Sequence, residues 1–343
     1  MSKSSLLAAF DNECQSIPKD ITKIGALDFN GIIGPQAWQY CNNRDGFSPS
    51  LFTATVPLYI TAMIGALCNV SVIYVTFRYR SLNNSYNYLL ATTALSDILH
   101  QISYNVSMWH MITGQNMIDF LDCFYLQSYA VVGMAMSYVC IFLTAVDRLV
   151  SIVFPIWHRS VPKAPYVAFL IFLSLAFSTY VLYYGFVYAK DHPNWPVICM
   201  HTVCYLGPVA TLMFWSCVTF NVFTIAVYLI TWFLLRNLKR YTSGQAVTKT
   251  RKIFKSLAII MISVLLGWMF NAMLEIVLQY CQVNGALIWF ITRLGAMSVN
   301  IVSGITAPVL YFCSTDYKNV YDCAFRGRKV GSVTIIMRSS RAS

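Results

Sequence analysis

Apolar positions in this chain do not alternate with polar ones; they run together in long blocks. Residues 46–77, 98–118, 123–146, 164–189, 192–235 and 294–315 contain no Asp, Glu, Lys or Arg. Two further blocks, 256–274 and 276–292, are parted only by Glu275, and the second stops at Arg293. A helix needs about 20 apolar residues to cross roughly 30 Å of hydrocarbon, and the blocks repeat too often at that length to be buried core helices. The pattern predicts seven spans, near 52–77, 86–110, 121–154, 166–188, 206–235, 254–280 and 286–312. The expected fold is an all-α membrane protein, a seven-transmembrane helix bundle over 52–312, with a polar tail at 1–51 and a second tail at 313–343.

Composition agrees: 57% of residues are apolar, 15% aromatic and only 11% charged, where soluble domains carry about 25% charge. The net charge of +11 would suit nucleic acid, but the basic residues follow the membrane instead. Of the 24 Lys and Arg, 18 fall in alternate loops and the carboxyl-terminal tail, among them Arg148, Arg159, Lys163 and the stretch from Arg236 to Lys255. Only Lys3, Lys19, Lys23, Arg44 and Lys190 fall on the other side, and Arg293 lies within the seventh span. By the positive-inside rule the amino terminus is extracellular and the carboxyl terminus cytoplasmic. Leu6 to Phe10 is too short for the apolar stretch of a signal peptide, so the first span is expected to serve as its own insertion signal.

Most of the 11 cysteines lie inside spans, where they read as small buried apolar residues. Cys123 opens the third span, and Cys199 sits in the loop from His192 to Pro208 on the same oxidising side, so a bond between them would pin that loop over the bundle. Cys204 is a rival partner, and Cys14 with Cys41 is a separate candidate bridge in the tail.

Ionisable groups in hydrocarbon are costly, which makes each a functional candidate. Asp97 reads either as a carboxylate held by hydroxyls such as Ser137 or Ser303, or as a cation or proton site with Asn69 nearby. Asp147 and Arg148 stand at the inner end of the third span, 25 residues beyond Cys123, so one helix of roughly 37 Å joins the outer bridge to an inner switch. Glu275 and Arg293 fall in the outer third of the sixth and seventh spans and read as a structural pair or as part of a ligand pocket. Pro308 predicts a kink in the seventh span. Beyond it Tyr317, Val320, Tyr321, Ala324 and Phe325 recur at helical spacing, as in a short amphipathic helix on the inner leaflet, with Cys323 a palmitoylation candidate. No lysine lies inside a span beyond its first turn, where Lys255 opens the sixth, which excludes a retinal Schiff base in mid-membrane, and the five histidines show no metal-ligand spacing and read as core or interface residues. No cofactor and no enzymatic constellation are expected.

Taken in order, Gly65 with Asn69, Leu-Ser-Asp-Ile-Leu-His at 95–100, Cys-Phe-Tyr-Leu-Gln at 123–127, Asp-Arg-Leu at 147–149, Val-Phe-Pro-Ile at 153–156 and Pro-Val-Leu-Tyr at 308–311 resemble the rhodopsin-like G-protein-coupled receptor superfamily. The closer resemblance is to the nematode serpentine receptor class sx, over about residues 55–325. It implies a transmembrane pocket near Trp268, Arg148 as the switch arginine, Tyr311 and Tyr228 as its active-state partners, a heterotrimeric G protein as intracellular partner and a place in the plasma membrane. Leu149, Phe270 and Ala307 depart from the superfamily's usual tyrosine, proline and asparagine, and the fourth span lacks its usual tryptophan, which affects the hinge geometry rather than the architecture. Ala130 stands where amine receptors carry an aspartate, which argues against an aminergic ligand. The resemblance points to chemosensation of small molecules, with a neuropeptide receptor as the second reading and a seven-span ligand-gated channel as the alternative from another class.

Overall fold

A computed structural model of the chain describes residues 46–47, 49–241 and 285–327 and, between the last two, residues 258–259, 262–263, 266–271, 273–274 and 277. The tail cysteines Cys14 and Cys41 and the side chain of Glu275 lie outside the described residues.

The predicted spans form as helices. They are α1 (Pro49–Arg78), α2 (Ser85–Ile102) with α3 (Tyr104–Thr113), α4 (Phe120–Val153), α6 (Lys163–Asp191), α7 (Pro208–Tyr241) and α8 (Gly285–Gly304) with α9 (Thr306–Cys313). A short α5 (Pro155–Ser160) follows α4, and α10 (Thr315–Arg326) follows α9. Every described residue from 258 to 277 is helical, where the sixth span is expected. Helices α1, α4, α6 and α7 are each long and apolar enough to cross a membrane, and α8 with α9 does so as one bent span. Wide exposed apolar faces, such as Leu67, Phe172 and Trp232, follow from a solvent that is itself hydrocarbon.

Two spans differ from straight rods. The second is interrupted at Ser103, whose hydroxyl donates to the His100 carbonyl at 2.6 Å, a local bond that competes with the helical ladder. The seventh bends by 40° between α8 and α9. Pro308 has no N–H to give the Gly304 carbonyl four residues back, and its ring crowds that carbonyl, so the bend falls one turn before the proline.

Helix α4 is the axis of the bundle, packed against α2, α6 and α7. In its most apolar stretch 72% is buried, against 28% in α6 and 22% in α7. Small residues permit the closest approaches. A Cβ on Gly133 of α4 would lie 2.6 Å from the Ser96 carbonyl oxygen of α2, and one on Gly304 would lie 2.7 Å from the Gly65 Cα of α1.

Helix α10 begins at Ser314, whose hydroxyl accepts from the Tyr317 N–H, and ends at Gly327 with φ 64°. The short amphipathic helix expected after the last span is present, and part of its apolar face turns inward. Tyr317 and Val320 are fully buried against the bundle, with the Tyr317 hydroxyl bonded to Thr76 of α1 and Asn87 of α2, while Phe325 is exposed.

Candidate functional site

The functional candidates group at the two ends of α4. At one end Cys123, in the first turn of α4, is bonded to Cys199, with Cα atoms 5.3 Å apart, and Cys204 is a buried free thiol. A short antiparallel strand pair just before the bridge joins Ile118 to Val197, and Ser107 donates to the Cys199 carbonyl at 2.8 Å. The loop is therefore tied to α3 and α4 at three places, and the 3-10 turn His201–Tyr205 that follows is driven into the bundle.

There His201 meets His100 of α2, Nε2 to Nε2 at 3.1 Å, with the rings edge-on and Tyr104 packed against both. The neighbours fix the tautomers. The Ser103 hydroxyl proton is committed to the His100 carbonyl, so its oxygen accepts from Nδ1–H of His201, 3.3 Å away. The His201 Nε2 is then the acceptor, and His100 donates to it. Burial, His100 and Arg293 together hold His201 well below the usual imidazole range, so His201 is neutral.

Below this pair lies a cavity of about 290 Å³, lined mainly by α4, α7 and the sixth and seventh spans. Of the residues expected in a pocket, Trp268 and Arg293 line it. Ala130 does not: it is fully buried higher on α4, and the lining from that helix comes from Met134 and Tyr138, one and two turns further in. Trp268 packs edge-on against Tyr138 at 6.5 Å. The histidine pair was invisible to spacing rules because its members lie 101 residues apart; the available signal was that both are polar groups set in charge-free segments.

In the middle of the bundle Ser137 donates to Asp97 at 2.6 Å, and Ser303 is buried. Asn69 turns elsewhere, donating to Gln101 at 3.2 Å. Gln101 escaped the sequence reading although it follows Asp97 by four residues, one helical turn, on the same face. Asn300 donates to Tyr104 at 3.0 Å, tying α8 to α3.

At the far end of α4, Asp147 is fully buried and forms an ion pair with Arg148. Ser85 donates to its Oδ1 at 2.9 Å and His158 of α5 donates Nε2–H to the same oxygen at 3.0 Å. Arg148 lies over the Tyr86 ring, 4.2 Å from its centre. Ser85, Tyr86 and His158 were not singled out by sequence, where they read as span boundary and loop. Tyr228 of α7 is near enough to Asp147 and Arg148 for their charges to act on it. Tyr311 faces away, donating to Asp322 of α10 at 3.0 Å, with Arg326 over its ring and paired with Asp322 at 3.3 Å. Cys323 of α10 is half-buried against the cluster that includes Tyr79.

No curated protein matches the chain. Residues 62–325 of this helix bundle match the model of one receptor family: the chain belongs to the family of the serpentine type 7TM GPCR chemoreceptor Srsx.

Proposed function

We propose that this protein is a chemosensory receptor of the plasma membrane that carries binding of an extracellular small molecule to a heterotrimeric G protein. In this reading 1–51 is an extracellular tail, 52–312 the receptor domain and 313–343 a cytoplasmic helix and tail, as the 18-to-5 split of basic residues favours.

The observation that carries the reading is the continuity of α4. Met134 and Tyr138 line the cavity, and Asp147 and Arg148 lie about two and a half to four turns further along the same buried helix, roughly 14 to 21 Å away at 1.5 Å per residue. A ligand that displaces Tyr138 or Trp268 therefore acts on a rigid rod that ends in the ion pair. Asp147 restrains Arg148 at rest, since a charge-assisted bond away from water is strong, and Ser85 and His158 hold the carboxylate in place. Release of Arg148 would leave a guanidinium for a G-protein helix, with Tyr228 beside it. Tyr311 must first give up Asp322 to join them, so the described arrangement fits a resting receptor.

A neuropeptide is the weaker reading, because a cavity of about 290 Å³ roofed by a bridged loop suits a small molecule. A ligand-gated channel would place the amino terminus on the other side, against the charge bias.

Signalling in cells that express the receptor with a promiscuous G protein tests this. Arg148→Ala should abolish coupling with surface expression retained, and Asp147→Asn should raise basal signalling. Coupling that persists in Arg148→Ala would sink the reading.

A further inference from the structure

We propose that the cavity takes a small uncharged molecule of the carbonyl class, whose oxygen receives the hydroxyl protons of Tyr138 and Tyr205 while its apolar body lies against Met134, Trp268 and Val299. The proposal rests on the receptor reading and names the ligand class of that same site.

Three observations lead to it. First, the wall between α4 and α7 carries good donors matched with poor acceptors. Tyr138 of α4 gives its hydroxyl proton to the Met213 sulfur of α7 at 3.5 Å, and Asn221 gives an amide proton to the Cys217 sulfur at 3.4 Å. Residues 213, 217 and 221 follow at four-residue spacing on one face of α7, and all three line the cavity with Tyr138. Sulfur is a weak acceptor, so a carbonyl oxygen brought to the Tyr138 hydroxyl makes the better bond.

Second, Tyr205 closes the 3-10 turn and is only 8% exposed, and its hydroxyl has no hydrogen-bond partner among the described residues. It lies close enough to Tyr138 for their charges to interact, and both residues line the cavity. A buried hydroxyl without a partner is destabilising. A carbonyl oxygen has two lone pairs and no proton of its own, so one such oxygen satisfies Tyr205 and takes the Tyr138 proton together. An ammonium group, which brings donors alone, satisfies neither phenol proton.

Third, other polar groups of the wall are already engaged. His100 donates to His201 and His201 to Ser103, and Asn271, Thr292 and Arg293 each interact within the protein. The remainder is mostly Met, aromatic and small apolar side chains, and the volume of about 290 Å³ bounds the ligand to a short chain or one ring. A ligand that draws the Tyr138 proton from Met213 also cuts a direct tie between α4 and α7, the helices that carry Arg148 and Tyr228.

The test uses the full-length receptor purified into phospholipid nanodiscs, with affinity read from the rise of the thermal midpoint with ligand concentration. The probes are straight-chain methyl ketones from butanone to decanone, each beside the alkene in which a methylene group replaces the carbonyl oxygen. The members of a pair are alike in shape, and comparing receptor variants in the same lipid cancels partition into the bilayer. The expected result is that Tyr138→Phe weakens binding of at least one ketone about three- to tenfold and leaves its alkene unchanged. Tyr205→Phe should do the same with no fall in the ligand-free midpoint, since its hydroxyl has no partner to lose. Should Tyr138→Phe fail to fold, Tyr205→Phe decides by the same criterion. No binding of any ketone, ketone affinity unchanged in the variants, a lower ligand-free midpoint in Tyr205→Phe, or ketone and alkene weakened alike, as a purely structural role would give, would overturn the proposal. Binding is read here without a G protein, so its failure alongside Arg148-dependent signalling would leave the receptor reading intact.

Discussion

The two ends of α4 solve opposite problems with similar residues. At the Asp147 end the buried carboxylate is saturated: Arg148, Ser85 and His158 all reach it, and the arginine's flat face is covered by Tyr86. At the Cys123 end there is a cavity, with Tyr138, Trp268 and Arg293 among the residues that line it. An end whose polar groups are satisfied by the protein holds one arrangement until something pulls it apart. An end with a cavity is stable only while its walls are held from outside, here by the disulfide, the strand pair and the histidine pair. The difference teaches where strength is placed: charge pairing where a state must be locked, cross-links where space must be kept open.

If cross-links keep the cavity open, breaking the bridge should have the largest effect on that end. The bridge closes a loop with a sequence separation of 76, worth roughly 4 kcal/mol in chain entropy. Cys123→Ser should lower surface expression sharply and abolish ligand response, read by surface labelling and by signalling. A variant with normal expression and ligand potency would show that the strand pair and the histidine pair suffice.

Between the two ends, the comparison assumes that α4 is a rigid rod clasped by α2. Gly133 sits at the closest approach, where any Cβ would meet the Ser96 carbonyl oxygen at 2.6 Å and Leu99 at 2.8 Å. Gly133→Ala should cost about 1 to 3 kcal/mol by forcing the helices apart, visible as a lower thermal midpoint in detergent. An unchanged midpoint would mean that the contact is loose and that the rod is not clasped there.

At the locked end the smallest effect is expected from a single auxiliary bond. His158→Ala removes one of the hydrogen bonds to Asp147 while leaving Arg148 and Ser85, a loss of about 0.5 to 1.5 kcal/mol to the resting arrangement. Basal signalling should rise a few-fold, less than in Asp147→Asn, with ligand affinity little altered. A basal level equal to that of the unaltered receptor would confine the lock to Arg148 and Ser85.

Much of the architecture could be read from the chain because hydrocarbon imposes a one-dimensional rule. Each span must carry enough consecutive apolar residues to cross, and charge then marks the boundaries, so the helices and the position of Asp147 and Arg148 followed from local counting. Pro308 likewise announced its bend, since a missing N–H acts on a carbonyl four residues away. The break at Ser103 was missed because serine is tolerated in helices, and only the bond it makes to the His100 carbonyl declares an interruption.

Side-chain company was decided by tertiary structure alone. Counting left Cys199 and Cys204 both open as partners of Cys123, and the strand pair between 118–119 and 196–197 brings up the first, while the second is buried as a free thiol. Ala130 looked like a pocket residue by its place in the third span, yet it is fully buried and the cavity is lined from that helix by Met134 and Tyr138, one and two turns further in. His158 joins Asp147 only because α5 folds back beneath α2 and α4. The physical reason is one of range: hydrophobic length and backbone bonding act within about 20 residues of sequence, whereas pairs such as His100 with His201 depend on helix rotations and close approaches set by packing across the whole bundle.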